Sequence, residues 1–400
     1  MTVPTSAPRV LFVCHYYPPH VGGIENVVRR EAVGLRARGA EVTVLSSGRR
    51  SRATVQDGVR VVRVAAWNGL ERRAGVPFPL FSPRLLAEAV RWGRWADLIH
   101  VHDALYLSSW AALAAARLTG TPYLMTQHVG VVQHPVALIR GVQRVVYAGP
   151  GRALWRGAER VFTLNSSVAA FTAHRGARPG RAVHLPNGVD TELFRPVRTR
   201  EEQLRARRAH GLPLDRPLVL FVGRLVPKKG YDLLLAAHAA QPRPDYDLVL
   251  VGDDCATLPA REGLHMLGRL PHEALPQVYR ACDMFALPSV AEGFPLAVQE
   301  AMATGLAVLT TDDPGYAAYR LDSARIRLLP RRTDQWAAAL RELARDEEQR
   351  SLLGAAARAY TLRNLSWDEH VSTLLGHYQE LVAASPRNTV AAGSREADDG

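Results

Sequence analysis

Glu292-Gly293-Phe294-Pro295-Leu296-Ala297-Val298-Gln299-Glu300 sets two carboxylates eight residues apart around a Gly-Phe-Pro turn. Pro suits the first position of a helix, where its missing N–H would be unsatisfied anyway. The spacing therefore predicts a helix beginning at Pro295 and running through Glu300-Ala301-Met302-Ala303-Thr304, with Gly305 as its stop. A helix start offers free N–H groups and a positive dipole end, a natural site for an anionic or hydroxyl-rich ligand. Glu292 falls just ahead of that end. Glu300 falls in the second turn, about 8 Å along the axis, where its carboxylate can accept paired hydroxyls.

Outward from this stretch the chain alternates apolar strands and helices. Residues 9–14 read as a buried first strand, followed by a loop carrying Gly22-Gly23 and a helix from about Ile24 to Arg38. Further strands are read at 41–45, 59–64, 98–101 and 123–126, with helices near 83–95 and 108–118. The pattern then restarts. Pro217 to Gly223 is a strand, Gly230 closes its loop, and a helix runs from Tyr231 to Ala240. Strands at 247–252, 265–268, 284–287 and 307–310 follow. Such alternation predicts α/β architecture with parallel, doubly wound sheets. The 400-residue length fits two cores better than one. The turn-rich segment Pro186-Asn187-Gly188 through Pro196 reads as their join. Residues 198–209 read as a charged surface helix. Leu365-Ser366-Trp367-Asp368-Glu369 reads as a capped helix start.

The Glu292–Glu300 segment, with Pro288-Ser289 before it and Gly305 after it, resembles the signature of the retaining glycosyltransferases of family 4. That resemblance covers most of the chain and is strongest in its second half. It implies the GT-B fold: two Rossmann-like domains facing across a cleft. On this reading residues 1–190 form an acceptor-side domain and 191–365 a nucleotide-sugar domain. Residues 366–383 form a crossover helix back to the first domain, and 384–400 read as a disordered tail. Glu300 would hold the ribose of a nucleotide-sugar and Glu292 would lie near the transferred sugar. The turn Gly293-Phe294-Pro295-Leu296 would lie against the donor, its amides after Gly293 meeting phosphates and sugar hydroxyls.

Other positions follow the same pattern. Arg224 and Lys229 flank the loop Gly223-Arg224-Leu225-Val226-Pro227-Lys228-Lys229-Gly230. Cations at a departing diphosphate stabilise the transition state more than the ground state. Lys228 and Lys229 are the chain's only lysines, and the family pattern selects Lys229, directly before Gly230. Gly22 and Gly23 resemble the loop that covers diphosphate or sugar, and Glu25 reads as a first-turn helix acid. Gly268 and Arg269 resemble the loop against the base. His128 matches a position close to sugar and acceptor, where it can polarise a hydroxyl. His100, His102 and Asp103 are read as candidates for the acceptor side. Asp312-Asp313-Pro314-Gly315-Tyr316 departs from the Gly-Gly loop and Glu of many members, and the step Gly305-Leu306-Ala307-Val308 lacks their frequent Pro.

Composition bounds the rest. Residues 1–190 hold 24 Arg against 10 acids, a net +14, and the remainder balances near neutrality to give +12 overall. A basic half suggests an anionic acceptor or an anionic membrane surface. The Arg-and-aromatic stretches Arg91-Trp92-Gly93-Arg94-Trp95 and Arg140 to Arg160, with Tyr147 and Trp155, read as basic amphipathic segments. No nucleic-acid recognition module is legible. Three unclustered cysteines and unspaced acidic pairs (Asp253-Asp254, Asp312-Asp313) predict no metal and no disulfide framework.

The expected protein is a cytoplasmic, metal-independent, retaining hexosyltransferase, peripheral at the inner face of the membrane. It would use a UDP- or GDP-linked sugar, no other cofactor, and an anionic, lipid-linked or saccharide acceptor. The expected setting is glycolipid, cell-envelope or polysaccharide synthesis. A sugar-nucleotide epimerase would instead isomerise free donor, and a silent binding subunit would bind donor without turnover.

Overall fold

The structure, a computed structural model, describes residues 7–20, 22–69, 71, 78–130, 137–241, 244–252, 261–290 and 294–384. Glu292, Gly293, the pair Asp253-Asp254, Cys255 and the tail beyond Ala384 lie outside the described residues. The chain forms two compact units. One comprises residues 1–187 with 370–400, the other 188–369.

The first unit is built on β1 (Arg9–Val13), β2 (Glu41–Gly48), β3 (Arg52–Gln56), β4 (Val59–Trp67), β5 (Leu80–Phe81), β6 (Leu98–His102), β7 (Tyr123–Gln127), β8 (Val161–Thr163) and β9 (Ala182–His184). The sheet order is β3-β4-β2-β1-β6-β7-β8-β9, with β5 paired to β4. All pairings are parallel except those of β3 and β5 with β4. The two faces of β1 feed different cores. Leu11 and Val13 pack with Leu45, Ile99, Val101 and Met125, whereas Val10 and Phe12 pack with Val28, Val44, Leu98 and Tyr378. Alternate side chains of a strand point to opposite faces, so helices on both sides bury a continuous apolar run.

The second unit holds β10 (Leu218–Val222), β11 (Asp247–Val251), β12 (Leu264–Gly268), β13 (Met284–Leu287), β14 (Ala307–Thr311) and β15 (Arg327–Leu329). Their order is β12-β11-β10-β13-β14-β15, all parallel. This is the 3-2-1-4-5-6 order of a Rossmann sheet, and strand direction of winding reverses between β10 and β13. Ligands of such sheets bind outside the carboxyl ends of the strands at that switch point.

Three expectations need correction here. The helix after the Gly-Phe-Pro turn spans Leu296–Thr304, and Pro295 is its N-cap with φ −59° and ψ 140°. Pro295 ends the extended turn because its ring fixes φ without fixing ψ. The charged run after residue 198 does form a helix, Arg200–Ala209, but it is not a surface feature throughout. Gln203, Ala206 and Arg207 are buried. The Arg207 guanidinium donates to the carbonyls of Ala281, Pro213 and Arg216 and pairs with Asp283 at 2.7 Å. Five fixed donors let an arginine enter a core when carbonyls and a carboxylate meet them all. Finally, β3, β5, β8, β9 and β15 went unread: the last four have only two or three residues, and β3 is a largely exposed edge strand with too few apolar residues to show a run.

The closing helix, Trp367–Ala383, begins in the second unit and belongs to the first from His370 onward. The Ser366 hydroxyl accepts from the Glu369 amide at 3.1 Å, closing its N-terminus. Val371, Leu374, Tyr378 and Val382 bury one helical stripe in the first unit's core. A Cβ on Gly34 would fall 2.8 Å from Val371 Cγ2, so glycine permits the close approach of the two helices.

Candidate functional site

In the second unit the ends of β10, β11 and β12 are tied edge to edge, and the loops after β10 and β13 meet. Gly223 N–H donates to Val251 O at 2.9 Å and Gly252 N–H to Gly268 O at 3.0 Å. A Cβ on Gly252 would lie 2.0 Å from Gly223 O, so only glycine lets these strand ends pinch together. The Pro227–Lys229 turn closes at Gly230, which has φ +77° and would drive a Cβ within 2.2 Å of Pro288 O. Val290 N–H donates to Lys228 O at 2.9 Å. The loop bearing Arg224 and Lys229 therefore lies against the loop that leads to Leu296, at the switch point of the sheet.

The two lysines differ. Lys228 is exposed, whereas Lys229 is half-buried, with its Cδ 3.7 Å from where a Gly223 Cβ would stand. Arg224 is exposed, as is Arg269 beside Gly268, a left-handed residue with φ +70°. No side chain among the described residues caps the Leu296–Thr304 helix, which leaves its first N–H groups without a side-chain partner there. Leu296 is exposed, but Phe294 is an anchor. Its ring packs edge-on against Tyr316 and Tyr319 at 5.3 and 4.3 Å, which fixes the turn from beneath. Asp313 accepts from Gly315 N–H at 2.7 Å, a turn-capping role.

Glu300 is more enclosed than a surface acid. Its carboxylate accepts from Tyr279 Oη at 2.9 Å and faces His272 Nε2 at 3.1 Å. A carboxylate has about four acceptor positions, so both oxygens keep capacity for ligand hydroxyls. Burial and the Glu300 charge push the Tyr279 phenol well above its ordinary pKa, so it stays a donor.

In the first unit, Gly22 is the extended N-cap of the Gly23–Ala37 helix. A Cβ on Gly22 would lie 2.2 Å from the Glu25 carboxylate, whereas Gly23 faces open space. Glu25 is buried and pairs with His20 Nδ1 at 3.0 Å, which makes it more than a dipole-matching acid. His20 Nε2 meets Glu71 at 2.8 Å, and Tyr16 Oη donates to the other Glu71 oxygen at 2.7 Å. His15 stacks on Tyr106 at 3.6 Å, joining the loop after β1 to the loop after β6. Burial holds the His15 imidazole down at about 3.

His128 lies at the end of β7, 7 % exposed, with Nε2 at 3.1 Å from His102 Nδ1. Burial lowers its pKa to about 3, so at neutral pH it is an uncharged hydrogen-bonding ring. His100, His102 and Asp103 do not line an open acceptor side. They are 0, 0 and 1 % exposed, because β6 is a central strand covered on both faces. His100 meets Tyr378 Oη and Thr126 Oγ1. Asp103 holds φ +67° and accepts from Leu105 N–H and Gln127 Nε2. Burial raises its carboxyl to about 6. Glu31, His100 and His102 bring potential ligand atoms within 4.8 Å of one another. Both His100 nitrogens already have protein partners, which favours a hydrogen-bond network over a metal site.

The aromatic members of the basic stretches also face inward. Tyr147 and Trp155 are fully buried, and Trp92 is buried beneath the guanidinium groups of Arg60 and Arg91 at 5.2 and 5.5 Å. Their apolar rings complete the core rather than a membrane-facing stripe.

The chain is similar to known proteins in sequence and in fold. The family description "Glycosyltransferase Family 4" matches residues 21–193, and "Glycosyl transferases group 1" matches residues 202–360. The D-inositol 3-phosphate glycosyltransferase of Xylanimonas cellulosilytica is 30% identical, over 96% of this chain and 99% of that one. This chain is a family 4 glycosyltransferase. The GDP-mannose-dependent alpha-mannosyltransferase of Mycolicibacterium smegmatis is also 30% identical, over 94% of this chain and 98% of its own length. Anabaena HepE, solved in complex with UDP, superposes with a TM-score of 0.71 at 20% identity, covering 94% of this chain and 100% of its own. Sucrose-phosphate synthase from Thermosynechococcus elongatus gives 0.69 at 23% identity, covering 95% and 100%. These likenesses show the GT-B fold.

Within this family 4 glycosyltransferase, sequence reasoning missed His15, the His20–Glu71–Tyr16 group and the Tyr279 and His272 partners of Glu300. His15 had a usable signal: it follows the carboxyl end of the first strand, where such sheets bind ligands. Tyr279 and His272 had none, since each reaches Glu300 from more than 20 residues away.

Proposed function

We propose that this glycosyltransferase moves a hexosyl group from a nucleoside-diphosphate sugar to a hydroxyl of an anionic acceptor, with retention and without a metal. The observation that carries the reading is the meeting, at one switch point, of Arg224, Lys229, the Gly268 loop and an uncapped helix start above Glu300. Cations and oriented amides there suit a diphosphate, and Glu300 suits a ribose diol. The names of its relatives supply the class: a D-inositol 3-phosphate glycosyltransferase, a GDP-mannose-dependent mannosyltransferase, and HepE solved with UDP.

The step balances as a same-face displacement. The acceptor oxygen bonds to the anomeric carbon as the bond from that carbon to the diphosphate breaks. The electron pair leaves on the diphosphate, and the acceptor proton passes to a departing phosphate oxygen. Arg224, Lys229 and helix amides hold the growing charge, and neutral His128 polarises a hydroxyl. Thermal-shift screening of UDP-, GDP- and ADP-sugars, followed by transfer assays with inositol phosphates, tests the assignment. A donor isomerised without acceptor would establish an epimerase instead, and binding without turnover a silent subunit.

With cations serving the leaving group, transfer persists in excess chelator. Activity lost in chelator and restored by a divalent ion would refute this leaving-group account. No helix among the described residues is long and apolar enough to cross a membrane. We place the enzyme in the cytoplasm, acting at the inner membrane face in cell-envelope glycolipid or polysaccharide synthesis. Two patches support docking there. Exposed Leu86 and Leu118 with half-buried Val90 border Arg91 and Arg94, and exposed Val142 and Val145 border Arg144. Each cation near an anionic surface contributes about 1 kcal/mol. Co-sedimentation is therefore expected with anionic but not neutral liposomes, weakening with salt. Equal behaviour with both lipids would leave a soluble anionic acceptor.

A further inference from the structure

A chain of buried polar groups leads from the backbone at Pro186 to His128. His370 Nδ1 lies 2.6 Å from Pro186 O, and its Nε2 lies 2.8 Å from Glu31 Oε1. Glu31 Oε2 faces His102 Nε2 at 3.5 Å, and His102 Nδ1 faces His128 Nε2 at 3.1 Å. Glu31 and His102 are 0 % exposed, and Glu31 Oε2 and His102 Nε2, 3.5 Å apart, each lack a hydrogen-bond partner among the described residues. Nothing in the fold's apolar packing calls for a carboxylate here. An isolated buried carboxylate costs several kcal/mol.

The proton positions follow from the ends of the chain. A carbonyl only accepts, so His370 carries its proton at Nδ1. One proton must lie between His370 Nε2 and Glu31 Oε1, whichever atom holds it, since two lone pairs do not approach to 2.8 Å. Glu31 Oε2 then bears no proton and can only accept. An Nε2–H on His102 gives both unpartnered atoms their best available partner, whereas a bare Nε2 would set a lone pair against the carboxylate. Burial disfavours a charged ring, so with its proton at Nε2 His102 keeps a bare Nδ1. His128 must therefore donate Nε2–H to that nitrogen.

We propose that Glu31, acting through His102, fixes the tautomer of His128 so that His128 Nδ1 is a bare acceptor for a substrate hydroxyl. This rests on the reading of His128 as a group at the sugar or acceptor. Glu31 and His102 are positioning residues, and His370 carries the arrangement to the closing helix. The logic is that of a carboxylate holding a histidine in one tautomer, extended by one ring.

The test is ¹⁵N NMR of histidine-labelled full-length protein, with the His128 signals assigned from the loss in H128Q. Wild type is expected to show a single His128 tautomer protonated at Nε2. In E31Q an amide N–H can point at His102, so His128 should become a mixture or shift to Nδ1–H, and turnover should fall about 10²-fold through misorientation. An unchanged His128 tautomer in E31Q, Nδ1–H in wild type, or stoichiometric bound metal would each overturn the proposal. If E31Q does not fold, the wild-type spectrum still decides. The spectrum needs no turnover: should no nucleotide-sugar be bound or used, the functional reading fails while the tautomer result stands.

Discussion

Lys229→Ala is expected to lower turnover by about 10²-fold or more, while Lys228→Ala leaves it nearly intact. The two side chains are neighbours of equal charge, so a general electrostatic effect would treat them alike. Their surroundings differ. Lys229 is half-buried against Gly223 at the carboxyl end of β10, and Lys228 is exposed. What Lys228 contributes to the loop is its backbone carbonyl, which accepts from Val290 and survives the change to alanine. Losing one preorganised contact to transition-state charge costs about 3 kcal/mol, which corresponds to the stated loss. Steady-state kinetics with the donor found by screening, supported by melting curves to show that both variants fold, supply the measurement. Equal losses from the two variants would refute the assignment of Lys229 to the diphosphate.

Moving from pH 7 to pH 5 is expected to destabilise the first unit by at least about 2 kcal/mol. His15 and His128 are buried and held near 3, below the unfolded value of about 6.5. A buried neutral histidine keeps its stability above the unfolded pKa. That stability drains as pH falls, because only the unfolded chain takes up the proton. At pH 5 each ring accounts for about 2 kcal/mol of loss. His100 and His102 shift in the same direction. Glu31, whose carboxyl burial also raises, opposes them, and so does Asp103. The folded pKa of Asp103, raised to about 6, restores about 1.3 kcal/mol as it protonates between pH 7 and 5. Urea unfolding at the two pH values measures the difference, with the fluorescence of buried Trp155 reporting the first unit. H15Q should flatten the dependence. A first unit equally stable at both values would mean that these rings are not buried neutral.

The fold was legible because its determinants are local. Arg9–Val13, Leu218–Val222 and Asp247–Val251 announce themselves as short apolar runs, and Gly230 and Gly305 close the segments they follow. Alternation of strand and helix, restarting near residue 217, was enough for two parallel α/β sheets. The loop holding Arg224 and Lys229 was legible too, since its position after a strand is a property of chain order. Even so, the reading of residues 198–209 failed at Arg207, whose carbonyl partners lie up to 74 residues away.

By itself, the sequence determined the succession of elements, the glycines that let loops meet and the family signature at 292–300. Only the tertiary structure decided which polar side chains face a ligand and which are enclosed. His102 closes its apolar strand and His128 follows the next one, yet His100 and His102 are fully enclosed, with His100 against Tyr378 of the closing helix, which is remote in the chain. Glu31 and His370 are 339 residues apart and meet at 2.8 Å. Periodicity reports which residues share a face of one element. It carries no information on what another element brings to that face, and that pairing sets burial, proton position and charge.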